Sequence, residues 1–325
     1  MANRALLVGI NNYPDPRNNL NSCVADTLAF KQILQDFYGF DSGAIQLLHN
    51  QDATLDNVRT GLDALFTGAS DGDQIVFFQS SHGYRYTEGN TMVEVLCLYD
   101  QFLNDTELTR RTQSLPPNVL TVVLDSCHSG GMNKMFFPPG DVQVARAKVW
   151  QPPMDQAIRD TQLYAQVTRF KFFGRTVAGE SRAVAKNMLF EPRNMPPAKS
   201  GGLQGEVDLN GALFAACLAD QTAAAGSPPT GNLSAFTYGI REEVRPGITL
   251  TDLSQRVANR LEQLNMTQTP IAIAPPMHPE LLTETFISMR PGDGGRPGGG
   301  MPQAPTEEFD PFEWLRDQLA GLGLR

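Results

Sequence analysis

The stretch 121-TVVLDSCHSGGMNK-134 sets an apolar run directly against a polar elbow, and the reading of that junction decides the fold. Thr121-Val122-Val123-Leu124 has the uninterrupted, β-branched character of a strand buried on both faces. Asp125-Ser126-Cys127-His128-Ser129-Gly130-Gly131 then leaves the interior by way of an acid, a thiol, an imidazole and two glycines. Reactive residue types at such a junction fit the loops outside the carboxyl ends of a parallel sheet, where sites of open α/β folds form.

Outward from this strand the chain alternates. Arg4 to Ile10, Ala44 to His49 and Asp73 to Gln79 are short apolar runs, and Val119 to Leu124 is the fourth. Between them, Cys23 to Tyr38 carries apolar residues at helical spacing and is ended by Gly39, and Thr54 to Phe66 repeats the pattern. Val93 to Tyr99 reads as a hairpin-like excursion and Thr106 to Thr112 as a short helix. Strand-helix order returns at Gly211 to Ala219, followed by helices near Leu233 to Val244 and Thr251 to Leu264. The expectation is an α/β fold with a mostly parallel central sheet and helices on both faces. From 132 to 200 the chain is irregular and rich in Pro, Lys and Arg. Residues 291–306 read as a Gly/Pro linker, and 307–325 as an amphipathic helix capped by Asp310, with Pro311 at its first position.

With 325 residues, 41% of them hydrophobic, the chain has ample material for a core. Its 26 Lys and Arg against 35 Asp and Glu leave a net charge of −9 and no basic stripe, so nucleic acid is not expected as a partner. No apolar stretch reaches the roughly 20 residues of a membrane span, and the N-terminal apolar run stops at Ile10, so a cytoplasmic protein is expected. Cys23, Cys97, Cys127 and Cys217 have neither metal-ligand nor C-x-x-C spacing.

Three loops at the carboxyl edge carry candidates: the one leading to "SCVAD", with Asp26; "SSHG", with His82; and "DSCHSGG", with Cys127. Adjacent strands lie about 4.8 Å apart, which brings an imidazole and a thiol on neighbouring strands within reach as base and nucleophile. Gly83 and the Cys127 amide suit a developing oxyanion. His128 reads as a turn residue, because neighbours on an elbow point apart. Cys97 and Cys217 read as core.

"SSHG" and "DSCHSGG" together resemble the His and Cys motifs of the caspase-like cysteine proteases, specifically the metacaspase branch. The likeness extends to "RALLVGINNYPDPRNNLNSCVAD", "LNDTEL", "SAFTYGIREEV" and "QTPIAIAP", and so to about residue 280. It implies a caspase-like three-layer sandwich over 1–290, with 132–200 as an insertion or regulatory segment. It implies peptide-bond hydrolysis through a thioester, with Cys127 as nucleophile, His82 as general base and acid, and the Gly83 and Cys127 amides as oxyanion hole. Asp26 and Asp125 would line the pocket for P1, the residue preceding the cut bond, with Cys23 and Ser80 nearby. Two carboxylates in one pocket repel until a cation enters, so the expected substrates are proteins or peptides with Arg, then Lys, at P1.

Two departures from the family pattern stand out: Ser81 where metacaspases usually carry Gly, and an incomplete calcium cluster. Many metacaspases depend on calcium; Asp105 fits their aspartate cluster, but Thr106 and Lys134 stand where further acids are common. Calcium wants six to eight oxygens, so no cofactor and no metal site are expected. Lys134, Arg146, Lys148, Arg159, Arg169, Lys171 and Arg175 make the 132–200 segment a candidate for activating cleavage, by the protein itself or by an upstream protease. The C-terminal helix either covers its own domain or docks on a partner. The rival functional reading is a catalytically idle scaffold that binds partners through that helix.

Overall fold

The computed structural model describes residues 2–88, 91–127, 146–153, 169–172, 175–178, 208–217 and 221–287. Residues 1–288 form one compact unit. The expected linker and C-terminal helix lie outside the described residues.

The central sheet has six strands. They are β1 (Asn3–Gly9), β2 (Ile45–His49), β3 (Gln74–Ser80), β7 (Leu120–Asp125), β10 (Ala212–Ala215) and β11 (Ile271–Ile273), in the order β11-β10-β7-β3-β1-β2. All neighbours are parallel except β11, which runs antiparallel to β10 at the edge. Its residues, from "QTPIAIAP", form a strand that the alternation pattern alone did not reveal.

Among the described residues five α-helices accompany the sheet: α1 (Cys23–Tyr38), α2 (Leu55–Phe66), α3 (Asp105–Arg111), α4 (Ala235–Glu243) and α5 (Leu250–Gln263). Thr54 caps α2 by accepting a hydrogen bond from the Asn57 amide, and Thr249 caps α5 in the same way from Asp252. Period-2 alternation assigns the strand faces. Leu6, Val8, Ile75, Phe77, Val122 and Leu124 join the cluster that holds Val58, Leu62 and Leu65 of α2. On the opposite face Phe30 of α1 stacks on Phe78 at 4.4 Å, and Phe236 of α4 meets Phe214 edge-on at 4.7 Å. Each such ring pair adds about 0.5–1.5 kcal/mol beyond its burial.

A second sheet branches off after β3. β4 (Gly83–Glu88), β5 (Thr91–Cys97), β8 (Arg169–Phe172) and β9 (Arg175–Ala178) lie in that order, and β6 (Phe102–Asn104) pairs with β5. The middle segment thus holds more regular structure than its composition suggests, since β8 and β9 form an antiparallel pair within it.

Two close approaches draw the carboxyl edge together. A Cβ on Gly9, at the end of β1, would lie 2.5 Å from the Cys23 carbonyl oxygen, so the start of α1 folds tightly onto the strand end. A Cβ on Gly83 would lie 1.7 Å from the Cys127 carbonyl oxygen, so the loops after β3 and β7 touch through their backbones. Any larger residue at either position would push the site apart.

Candidate active site

β3 and β7 are neighbours in register, Gln79 opposite Leu124 and Ser80 opposite Asp125, so the loops that follow carry His82 and Cys127 side by side. The His82 ring is buried, and its Nε2 lies 2.7 Å from the Asn18 carbonyl oxygen. A carbonyl can only accept, so the proton sits on Nε2 and Nδ1 keeps its lone pair. Nδ1 is buried and has no hydrogen-bond partner. Burial lowers the imidazole pKa to about 4, against the opposing pull of the Asn18 and Lys148 backbone groups. The ring is therefore neutral near pH 7, in the tautomer a general base requires.

Tyr13 holds this imidazole from below. Its ring lies 5.2 Å from the His82 ring, and its hydroxyl accepts from the His82 amide at 3.1 Å and donates to the Cys97 carbonyl at 3.3 Å. Ser81 fits without disrupting the loop: its hydroxyl donates to the His82 carbonyl at 2.9 Å and accepts from Gln79 Nε2 at 2.9 Å.

Cys127 is fully buried, and its Sγ accepts from the Ala223 amide at 2.7 Å and lies 3.4 Å from the Ala223 carbonyl. Thiol and imidazole share no hydrogen bond among the described contacts. Their loops touch through the backbone, but the thiol is turned toward Ala223.

The acidic pocket is assembled from four elements. Asp26 lies in the first turn of α1, yet it does not cap that helix. Its Oδ1 accepts from the Ser234 amide at 2.8 Å, and its Oδ2 from Ser234 Oγ at 2.5 Å and Ser80 Oγ at 2.7 Å. Asp125, at the end of β7, uses Oδ2 to accept from the Thr237 hydroxyl at 2.6 Å and amide at 3.3 Å. Cys23 completes the wall; burial pushes its thiol up to about 12, so it stays neutral. Ser22 supports Ser234 with a 2.7 Å hydroxyl contact. Neither Ser234 nor Thr237 was singled out by sequence. The available signal was the stretch "SAFTYGIREEV", which carries both residues at the start of α4.

The pocket is filled by the chain itself. Lys148 is 0% exposed, and its Nζ lies 2.7 Å from Asp125 Oδ1, 2.8 Å from Ser80 Oγ, 2.9 Å from the Asp125 carbonyl and 3.4 Å from Asp26 Oδ2. Burial alone would discharge the amine, but Asp125 and its neighbours outweigh it and hold the ammonium pKa above its ordinary value. Burial raises the Asp26 carboxyl, while the ammonium pulls it back. An ion cluster this dry persists only when every partner is satisfied, and here each is.

The backbone around Lys148 is equally constrained. Ala147 bridges Ala224 in antiparallel fashion, the Lys148 amide donates to the Ala223 carbonyl at 3.0 Å, and the Ala225 amide donates to the Arg146 carbonyl at 2.7 Å. The Gly83 amide donates to the Lys148 carbonyl oxygen at 3.1 Å. Arg146 sends its guanidinium to the carbonyls of Asn19 and, at 3.3 Å, Arg17. An extended strap, 146–151, thus runs through the cleft with one lysine in the acidic pocket and that lysine's carbonyl on the Gly83 amide.

Of the other basic candidates, Lys134 and Arg159 lie outside the described residues, as does His128. Arg169, Lys171 and Arg175 stand in β8 and β9, where their backbones are paired in a ladder. Cys97 and Cys217 are fully buried.

Near Asp105, the one residue that fits the family's calcium cluster, the chain places an ion pair of its own. Arg85 on β4 and Glu94 on β5 are paired in register, and Asp105 is the residue that follows β6. The guanidinium contacts Glu94 Oε1 at 3.0 Å through Nε and 2.8 Å through Nη2. Burial and the Asp105 charge push the Glu94 carboxyl up to about 8 against the pull of Arg85. The Thr106 hydroxyl is spent on Asp105 Oδ1 at 3.1 Å. With Glu94 already paired to an arginine, these side chains do not offer the oxygen shell of a hard cation. Among the described residues no three His, Cys, Asp or Glu side chains converge on a metal position, and no helix is long and apolar enough to cross a membrane.

Comparison with known proteins identifies the family and the fold. The family described as the caspase domain matches residues 2–279. Metacaspase-8 of Arabidopsis thaliana is 32% identical over 146 residues, covering 41% of this chain and 38% of that protein. Metacaspase-7 of the same plant is 34% identical over 146 residues, covering 41% of this chain and 36% of that protein. The match thus spans well under half the length of these relatives. A crystal structure of a Geobacter sulfurreducens protein is similar with a TM-score of 0.59 at 21% identity, covering 89% of this chain and all of that one.

Proposed function

Because the chain belongs to the caspase-domain family, we propose that it is a cysteine endopeptidase that cuts after basic residues and is held inactive by its own 146–151 strap. The observation that carries this reading is Lys148: its ammonium is bound by both pocket carboxylates while its carbonyl receives the Gly83 amide. That is the pose of a P1 residue before attack, and it makes Lys148–Val149 the bond to be cut in activation.

The steps follow from the atoms present. Cys127 Sγ rotates off the Ala223 amide, and His82 Nδ1 takes its proton. The thiolate attacks the P1 carbonyl carbon, and the oxyanion is stabilised by the Gly83 and Cys127 amides. The imidazolium returns the proton to the leaving amine, leaving a thioester on Cys127. Water, deprotonated by the same imidazole, hydrolyses the thioester and restores the thiol. The Asn18 carbonyl holds the ring through the cycle by its contact with Nε2. No calcium takes part in this scheme, since Arg85 already supplies the positive charge facing Glu94.

Specificity comes from the pocket. An ammonium or guanidinium satisfies Asp26 and Asp125, whereas an acidic P1 would add a third buried negative charge. Short fluorogenic peptides with Arg, Lys or Asp at P1 test the reading, and also decide the expected order of Arg over Lys. Turnover of the Arg and Lys peptides by the activated protein is the expected result. Turnover of the Asp peptide alone would overturn the specificity. No turnover of any peptide would leave the idle scaffold as the better reading.

A further inference from the structure

Past the bond after Lys148 the strap stays ordered, and its next side chains enter positions that the fold supplies. Val149 bridges Gly83 in parallel fashion, and the Trp150 amide donates to the Gly83 carbonyl at 3.2 Å. The Trp150 ring then stands edge-on to three others: Tyr13 at 5.3 Å, Phe102 at 5.8 Å and the His82 imidazole at 6.2 Å. Phe102 is in turn backed by Tyr84 at 5.8 Å. One residue further, the Asn18 side chain grips the backbone of Gln151 on both sides, accepting from its amide at 2.8 Å and donating to its carbonyl at 3.3 Å. Asn18 is itself almost wholly buried.

None of these cage and clamp residues belongs to the strap. Tyr13 and Asn18 come from the loop after β1, His82 from the loop after β3, and Phe102 from β6. The cage therefore persists once the strap is cut and leaves. Resting on the protease reading above, we propose that the leaving-group side of the cleft is a second specificity site. It takes an aromatic side chain at P2′, the second residue after the cut, and grips the P3′ backbone through Asn18. The substrate class becomes a basic residue, any residue, then an aromatic one: Lys/Arg–x–Trp/Phe/Tyr. The strap reads Lys148-Val149-Trp150 and meets that rule.

Edge-to-face ring contacts and burial of an aromatic group underlie the preference, and their combined size corresponds to roughly a ten-fold effect. The experiment uses the full chain carrying Trp150→Ala, which empties the cage of its own occupant, activated by cleavage after Lys148. Quenched peptides reproduce residues 145–152 with Trp, Phe, Leu or Ala at P2′. Expected is a kcat/KM for the Trp and Phe peptides about ten-fold above that for Ala. Phe102→Ala in the same background should bring the four peptides within about two-fold of one another. Phe102→Leu, which preserves packing against Tyr84, should lie between. Equal turnover of the Trp and Ala peptides, or a preference unmoved by both Phe102 variants, overturns the subsite and leaves the protease reading standing. No turnover of any peptide, Ala included, removes the protease reading and this subsite with it.

Discussion

The two ends of the strap are held by opposite physics. Lys148 is fully buried among charges, and its ammonium touches two carboxylates, a hydroxyl and a carbonyl. Two residues on, Trp150 is half-buried among rings and is held by shape and by one amide. The first grip is strong and selective, because removing one member leaves buried charge uncompensated. The second is weaker and graded, because losing a ring forfeits only contact area and edge-to-face geometry. An activation that cuts between them would free a Lys148 end anchored by ions and a Val149 end anchored by packing.

That contrast orders the expected effects. The largest belongs to Lys148. In a Cys127→Ala background, Lys148→Ala should lower the stability of the intact chain by roughly 3–5 kcal/mol, read by denaturant or thermal unfolding. In the otherwise unchanged protein the same substitution should abolish the cut between 148 and 149, whereas Lys148→Arg should keep it. Next come the carboxylates. The ammonium sits 2.7 Å from Asp125 and 3.4 Å from Asp26. Asp125→Asn should therefore cost about 100-fold in kcat/KM on Lys peptides, and Asp26→Asn nearer 10-fold. Equal losses would mean that the pocket does not grade its two acids as the distances imply.

Trp150 should matter less for stability and more for protonation. Trp150→Ala should cost about 1–2 kcal/mol and admit water to the imidazole. His82 is held at about 4 mainly by burial, below the ordinary 6.5. The unfolded chain thus binds a proton that the folded chain refuses. The stability that rests on a neutral His82 is fully present above pH 6.5 and is lost as pH falls from 6.5 to about 4. With only four histidines in the chain, the ring can be followed by NMR titration. Trp150→Ala should move its midpoint upward toward 6.5. The smallest effect is none: a calcium chelator should leave the activity of the cleaved protein unchanged, and a chelator-sensitive activity would contradict the place given to Arg85.

Much of the fold was legible because its signals are local. Uninterrupted apolar runs located β1, β3 and β7, period-3.6 patterns located α1 and α2, and reactive residues after two buried strands pointed to His82 and Cys127. Ser80, Asp26 and Asp125 were named for the pocket through the resemblance to the metacaspase motifs, and they stand at the ends of elements the pattern had already fixed. Lys148 was visible only as one of seven basic residues. Nothing in its local sequence separates it from Arg146 or Lys171, since its place is set by the pairing of Ala147 with Ala224, across 77 residues of chain. The same applies to Asn18 and Trp150, whose roles exist only once the loop after β1, the loop after β3 and the strap converge. β4 is a plainer omission. Tyr84-Arg85-Tyr86-Thr87 has strand-forming residue types, but it follows immediately on "SSHG", which reads as the end of an element rather than the start of one.

The central claim is that the bond after Lys148 is seated for attack by Cys127, and sequencing the N-termini of fragments from purified protein tests it most directly. The wild-type chain should yield a fragment beginning Val149-Trp150-Gln151, and Cys127→Ala should stay whole under the same conditions. A fragment beginning elsewhere, or the same cut in Cys127→Ala, would contradict it.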